Sequence, residues 1–181
     1  MIKNISLLVC LIICSALFSQ KMITRSGEIK FEASMPAFEE IASKNNTASC
    51  LFDAATGEIV VLVLVKGFRF KIPLMEEHFN ENYMESSKFP KATFKGKILN
   101  FDASKLAATK TTYELEGELS MHGVKKKIKT KISLAQNTGK INAVSIMVVK
   151  PQDYAIEIPS LVKGKIADTV KVSINFILEA K

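Results

Sequence analysis

A period of two dominates this chain and restricts it more than any motif. "TYELEGELSM" (Thr112 to Met121) sets Tyr113, Leu115, Gly117 and Leu119 on one face and Glu114, Glu116 and Glu118 on the other. "KIKTKISL" (Lys127 to Leu134) sets Ile128, Thr130, Ile132 and Leu134 opposite Lys127, Lys129 and Lys131. Strict alternation of this kind marks strands with one face buried and one in water. With "HGVK" as a turn between them, glutamates on one strand and lysines on the next predict charge pairs across the outer face of a hairpin.

The same period runs through most of the chain. "GEIKFEAS" aligns Ile29, Phe31 and Ala33; "TASCLF" aligns Ala48, Cys50 and Phe52; "ATFKGKIL" aligns Ala92, Phe94, Gly96 and Ile98. "IVVLVLV" (Ile59 to Val65) is apolar on both faces, and Gly67 after it marks a bend. "INAVSIMVV" and "TVKVSINFILE" close the series, the latter aligning Val170, Val172, Ile174, Phe176 and Leu178. About eight strands result. Helical signal is confined to "MEEHFNENYM", where Met75, Phe79 and Tyr83 form a stripe at i, i+4, i+8, and to the weaker "PSLVKG" (Pro159 to Gly164). Pro90, directly after Phe89, fixes the turn from that helix into the next strand. Such a chain folds as a closed antiparallel barrel or as a two-sheet sandwich.

Residues 1–20 read differently. Lys3 precedes an uncharged apolar run, Ile5 to Phe18, followed by "SALFSQ". That layout is a secretory signal peptide, removed on export, with residues 21–181 left as one domain. The mature protein is expected in the periplasm or secreted. Of three cysteines only Cys50 lies beyond the signal, so neither an intramolecular disulfide nor a cysteine metal site is expected. The formal charge is +7, from 25 basic and 18 acidic residues. Because the lysines alternate with apolar residues, they read as the wet face of a sheet. Nucleic acid is not an expected partner; weak attraction to an anionic membrane surface remains compatible.

Catalytic and metal chemistry find little support. His78 and Glu81 share a helical face, but zinc sites usually take three protein ligands, and the acids Glu76, Glu77, Glu81 and Glu85 read as a solvated surface. His122, before Gly123 at a turn, reads as a backbone requirement, and Cys50 as a small core residue. No nucleophile elbow, phosphate-cradling loop or paired acids stand in catalytic context. No catalytic residue, metal or cofactor is expected.

Two stretches resemble a known family. "ENYMESSKFPKATFKGKI" is similar to the part of the YceI-like family where a short helix meets an aromatic-proline pair before a strand. "YELEGELSMHGVKKKIKT" resembles that family's Gly-x-Leu-x-x-x-Gly-Val hairpin, with Gly117, Leu119, Gly123, Val124 and Lys126 in register. Lys125 stands where many members have Thr, and "FEASMPAFEEIASKNNTASCLF" replaces the usual His-x-Gly strand. The resemblance implies an all-β fold, an eight-stranded antiparallel lipocalin-like β-barrel with one or two short helices. It also implies a long apolar ligand, a polyisoprenoid, quinone or fatty-acid-like lipid, held inside. The residues expected to line such a cavity are Phe31, Phe68, Phe70, Phe79, Tyr83, Phe94, Tyr113, Leu115, Ile174 and Phe176, with the Tyr113 hydroxyl as a polar handle for a head group. Two other readings stay open: a hydrolase or isomerase acting on such a lipid through His78 or His122, and an interaction domain whose barrel is filled by side chains.

Overall fold

The computed structural model describes residues 21–36 and 38–181; the signal-peptide assignment falls on residues 1–20, outside the described ones. In chain order the strands are β1 (Lys21–Ser34), β2 (Ala42–Asp53), β3 (Glu58–Leu64), β4 (Arg69–Phe70), β5 (Lys91–Ile98), β6 (Thr111–Met121), β7 (Val124–Asn137), β8 (Lys140–Val149) and β9 (Ile166–Ala180). Eight of them pair antiparallel in the order β1-β9-β8-β7-β6-β5-β3-β2, and β1 pairs with β2 to close the ring. Closure decides for the barrel over the sandwich and, among the described residues, leaves no long sheet edge unpaired. The two-residue β4 lies in "GFRFKI", the stretch that continues β3 past the Gly67 bend, and adds to the start of β2 through Ser43 opposite Phe70.

Turn chemistry sets the registers. His122 and Gly123 (φ 51° and 77°) join β6 to β7, and Thr138 and Gly139 (φ 47° and 77°) join β7 to β8. Two central residues in the left-handed region give the tight hairpin turn whose twist matches that of strands. Across the first hairpin Glu114, Glu116 and Glu118 stand opposite Lys131, Lys129 and Lys127. The charge ladder expected from the alternation is therefore present, with Lys129 Nζ 2.7 Å from Glu116 Oε1.

The two ends of the barrel differ. At the end holding the β2–β3 and β7–β8 turns, Phe52, Ile98, Leu134, Ile141, Phe176 and Leu178 are almost wholly buried. Phe101, from the β5–β6 connection, packs edge-on against Phe52 at 5.5 Å. Each such side chain contributes about 1.5–3 kcal/mol by leaving water. This end is a solid plug. Cys50 belongs to the same core, and burial pushes its thiol from 9.0 up to about 12.

The opposite end is covered by segments rather than filled by side chains. Helix α1 (Pro73–His78) begins with Pro at its first turn and runs into a wider π-helical turn, Phe79–Tyr83. The Met84 amide donates to the Phe79 carbonyl (2.9 Å), five residues back. The expected helix is thus an α-turn followed by a π-turn. Across from it, residues 150–165 between β8 and β9 carry two 3₁₀ turns, Pro151–Tyr154 and Ser160–Val162; the second replaces the weak helix expected at Pro159 to Gly164.

Candidate ligand-binding site

Between plug and cover lies a cavity of about 600 Å³. Strand position gives its depth: Ile59, Leu115 and Phe176 reach it near the plug, Val61, Phe94 and Ile174 along its walls, and Phe31, Phe68, Phe70, Phe79 and Tyr83 near its mouth. Nine of the ten residues expected from the sequence thus line this space. Four of them form one aromatic cluster. Phe31 lies 5.3 Å from Phe68, 5.7 Å from Phe70 and 5.3 Å from Phe79, and Phe70 lies 5.1 Å from Phe79. The rings come from β1, from the stretch around β4 and from the π-turn, so the cluster ties the cover to the wall.

Tyr113 is the exception and a correction. It stands near the start of β6, at the plugged end, with its ring 5.9 Å from Phe101 and absent from the cavity wall. Its hydroxyl is buried without a hydrogen-bond partner among the described residues. Its position puts this hydroxyl in the plugged end, away from the mouth.

The cavity wall is chemically uniform. Of its polar members, Glu39, His78 and Lys165 sit exposed at the rim. Inside, the Ser145 hydroxyl donates to the Lys131 carbonyl (2.7 Å) and the Thr130 hydroxyl to the Ile146 carbonyl (3.3 Å). Both are thereby spent on backbone. Burial raises the Tyr83 phenol above its ordinary value, so at neutral pH it is a neutral donor near the mouth. Everything else facing inward is apolar save Thr93. Such a surface selects by shape and apolarity, not by charge.

Room arises from particular small residues. Ala33, Ala92 and Ala143 line the cavity. Gly96 and Gly117, paired across β5 and β6, serve another purpose. A Cβ on Gly96 would lie 2.5 Å from Phe94 Cζ, and one on Gly117 2.6 Å from it, so the two glycines seat the Phe94 ring.

The acidic stretch is largely structural. Glu76 holds α1 to β4: its carboxylate accepts from Arg69 Nη1 (2.7 Å) and from the Phe70 amide (3.1 Å). Glu85 Oε2 lies 2.9 Å from His122 Nε2, and His122 Nδ1 lies 3.0 Å from the Tyr154 carbonyl. A carbonyl only accepts, so Nδ1 donates there. His122 therefore ties the end of the π-turn segment, the β6–β7 turn and the 150–165 cover together, outside the cavity. Among the described residues no three His, Cys, Asp or Glu side chains gather as a metal site. The sequence did not mark Pro151, Ile156, Ile158 and Val162 as cavity cover; its signals were the two-residue spacing of Ile156 and Ile158 and the weak helical stretch Pro159 to Gly164.

Comparison with known proteins gives a consistent picture. A family model described as YceI-like domain matches residues 21–178. No curated protein matches the sequence. Among solved structures, a polyisoprenoid binding domain from Saccharophagus degradans implicated in plant cell wall breakdown is similar at 17% identity, covering 90% of this chain and 99% of that one, with a TM-score of 0.77. Burkholderia cenocepacia BcnA is similar at 16% identity over 83% of this chain and 95% of that one, TM-score 0.69. The Campylobacter jejuni YCEI protein follows at 15% identity over 81% and 90%, TM-score 0.65. At these identities the likeness is one of fold.

Proposed function

The chain belongs to the YceI-like family, and on that premise we propose that it carries one long apolar or amphiphilic lipid, of the polyisoprenoid, quinone or fatty-acid kind, inside its barrel, as an exported protein and without transforming the ligand. The observation that carries this reading is the cavity itself: about 600 Å³, plugged at one end, with its interior hydroxyls at Ser145 and Thr130 already bound to backbone. Each methylene that moves from water into such a wall gains about 0.8 kcal/mol. A chain of a dozen carbons thus outweighs the cost of ordering it. The solved relative described as a polyisoprenoid binding domain supports a ligand of this class.

Of the two histidines, only His78 lines the cavity, so a catalytic reading would have to work through it from the rim. His78 stands exposed at the rim, and His122 is held outside the cavity by Glu85 and Tyr154. General acid–base work needs such a group within hydrogen-bond reach of the bound substrate. A barrel filled by its own side chains is at odds with the cavity volume. Native mass spectrometry of the purified protein, followed by organic extraction, tests the proposal. A stoichiometric apolar passenger released on denaturation is the expected result. A protein that emerges ligand-free and also refuses added quinones, isoprenoids and fatty acids overturns it.

A further inference from the structure

Three long apolar side chains turn to solvent around the cavity mouth: Phe38 (52% exposed), Leu74 (56%) and Leu161 (90%). Single exposed apolar residues are ordinary; their arrangement here is not. They belong to three segments that the topology makes neighbours. Ser34 at the end of β1 pairs with Ile166 at the start of β9, which sets the 159–165 turn beside the Phe38–Ile41 loop segment. Ser43 of β2 pairs with Phe70 of β4, and Lys71 forms an ion pair with Glu40, which sets that loop beside α1. The three tips therefore follow one another along an arc of the rim. Directly behind each, Phe38 itself, Met75 and Val162 line the cavity.

Charge along the arc is not uniform. Lys163 and Lys165 follow Leu161, and neither has an acidic partner within ion-pair distance among the described residues. Towards α1, Glu40 is matched by Lys71 and Glu76 by Arg69, leaving Glu39 and Glu77. Within four residues of Leu161 stand one acid, Glu157, and two lysines, Lys163 and Lys165, so the Leu161 tip is net basic. Apolar tips on separate loops around a concave opening make a poor flat face for another protein. With unpaired lysines beside them, they suit an interface that is apolar inside and anionic at its surface.

We propose that this arc docks the mouth of the barrel onto a phospholipid surface bearing anionic head groups. Leu161, Phe38 and Leu74 enter the acyl boundary, and Lys163 and Lys165 lie among the phosphates. Docking in this pose opens the cavity towards the lipid and turns the plugged end to water. The interaction does not depend on what the barrel carries.

Sedimentation of the purified protein with vesicles tests it, using phosphatidylcholine alone and phosphatidylcholine mixed with phosphatidylglycerol. The protein is expected to bind the mixed vesicles more tightly. Leu161→Asp is expected to weaken that binding about tenfold, and Lys163→Glu with Lys165→Glu to erase the preference for the mixed vesicles. Because Leu161 is almost fully exposed, its variant keeps the wild-type melting point, which separates docking from folding. Failure of the wild type to sediment, or an unchanged affinity in Leu161→Asp, overturns the proposal. Self-association that Leu161→Asp abolishes, without vesicle binding, overturns it in favour of a second copy of this chain. A protein that sediments but holds no lipid leaves docking standing and removes the carrier reading; a loaded protein that ignores vesicles does the reverse.

Discussion

The rings of Phe31 and Phe79 stack with centroids 5.3 Å apart and planes inclined by 28°. One belongs to the first strand of the barrel, the other to the π-turn that covers its mouth. This contact makes the cover part of the barrel's core as well as of its binding surface. Phe79 also touches Phe68 and Phe70, so its loss removes the centre of the cluster.

Phe79→Asp is accordingly expected to lower stability by about 2–4 kcal/mol, through lost packing and a carboxylate placed among aromatic rings. The same change is expected to abolish lipid retention. Urea denaturation and quantification of the extracted lipid report the two effects. Unchanged stability with ligand retained would remove the role assigned to this ring.

Gly96 and Gly117 face each other across β5 and β6 beneath Phe94. At Gly96 an added Cβ would lie 2.5 Å from the Phe94 ring and 2.6 Å from the Glu116 carbonyl oxygen. The ring can yield, but the backbone oxygen can do so only by moving its strand. Gly96→Ala is therefore expected to cost about 1–3 kcal/mol, read as a lower urea midpoint. A midpoint equal to wild type would show the strands slide apart freely here.

The strands were legible because alternation reports which face of a strand is buried, but alternation fits a sandwich as well as a barrel; the closed barrel was implied by the family resemblance, and the β1–β2 pairing bears it out. Height along the barrel axis was not legible in this way. Tyr113 and Phe94 share the inward face by the same rule, yet one sits in the plug and the other on the cavity wall. Register, set by the hairpin turns and the irregularity in β1 between Thr24 and Gly27, decides height, and alternation says nothing about it. Likewise β4 is too short to alternate, and the 150–165 cover presents only Ile156, Ile158 and the weak helical stretch Pro159 to Gly164. The small residues looked alike in sequence, but Ala92 leaves room while Gly96 seats a ring.

The position of Tyr113 yields a sharp contrast with the sequence expectation. Its hydroxyl is buried in the plug without a partner among the described residues. Removing an unsatisfied buried hydroxyl is neutral to stabilising, by about 1 kcal/mol. Tyr113→Phe is thus expected to keep or raise the melting point and to leave lipid retention unchanged. A loss of retained lipid would restore the hydroxyl to a binding role.

Cys50 provides a pH signature of the core. Burial holds its thiol neutral up to about 12, whereas an exposed thiol ionises near 9.0. The folded state therefore binds this proton more tightly than the unfolded chain. Its contribution is fully present below pH 9 and is lost as pH rises from there through 12, by up to about 1.4 kcal/mol per unit. Cys50→Ala lacks this term, while lysines and tyrosines titrate in both proteins. The stability difference between wild type and variant is expected to shrink between pH 9 and 11, measured by urea denaturation. A constant difference would place the thiol in contact with water.

Ala92 separates the cavity from the core. It stands on β5 opposite Val63, packs against the core and lines the cavity wall, so a larger side chain there takes up cavity volume. A phenyl ring there gains about 1.5–3 kcal/mol by leaving water and loses a similar amount to overpacking, so stability stays near wild type. The ligand, however, competes for the same volume, and Ala92→Phe is expected to reduce retained lipid about tenfold. Phe79→Asp lowers stability and retention together, whereas Ala92→Phe lowers retention alone. That split is what a binding cavity predicts and what a purely structural core does not. Quantification of extracted lipid beside the urea midpoint reads both at once. Full retention in Ala92→Phe would mean that the lipid lies elsewhere on the protein, and the outer apolar side chains of β2 and β3, Leu51, Val60 and Leu64, would be the surface to examine next.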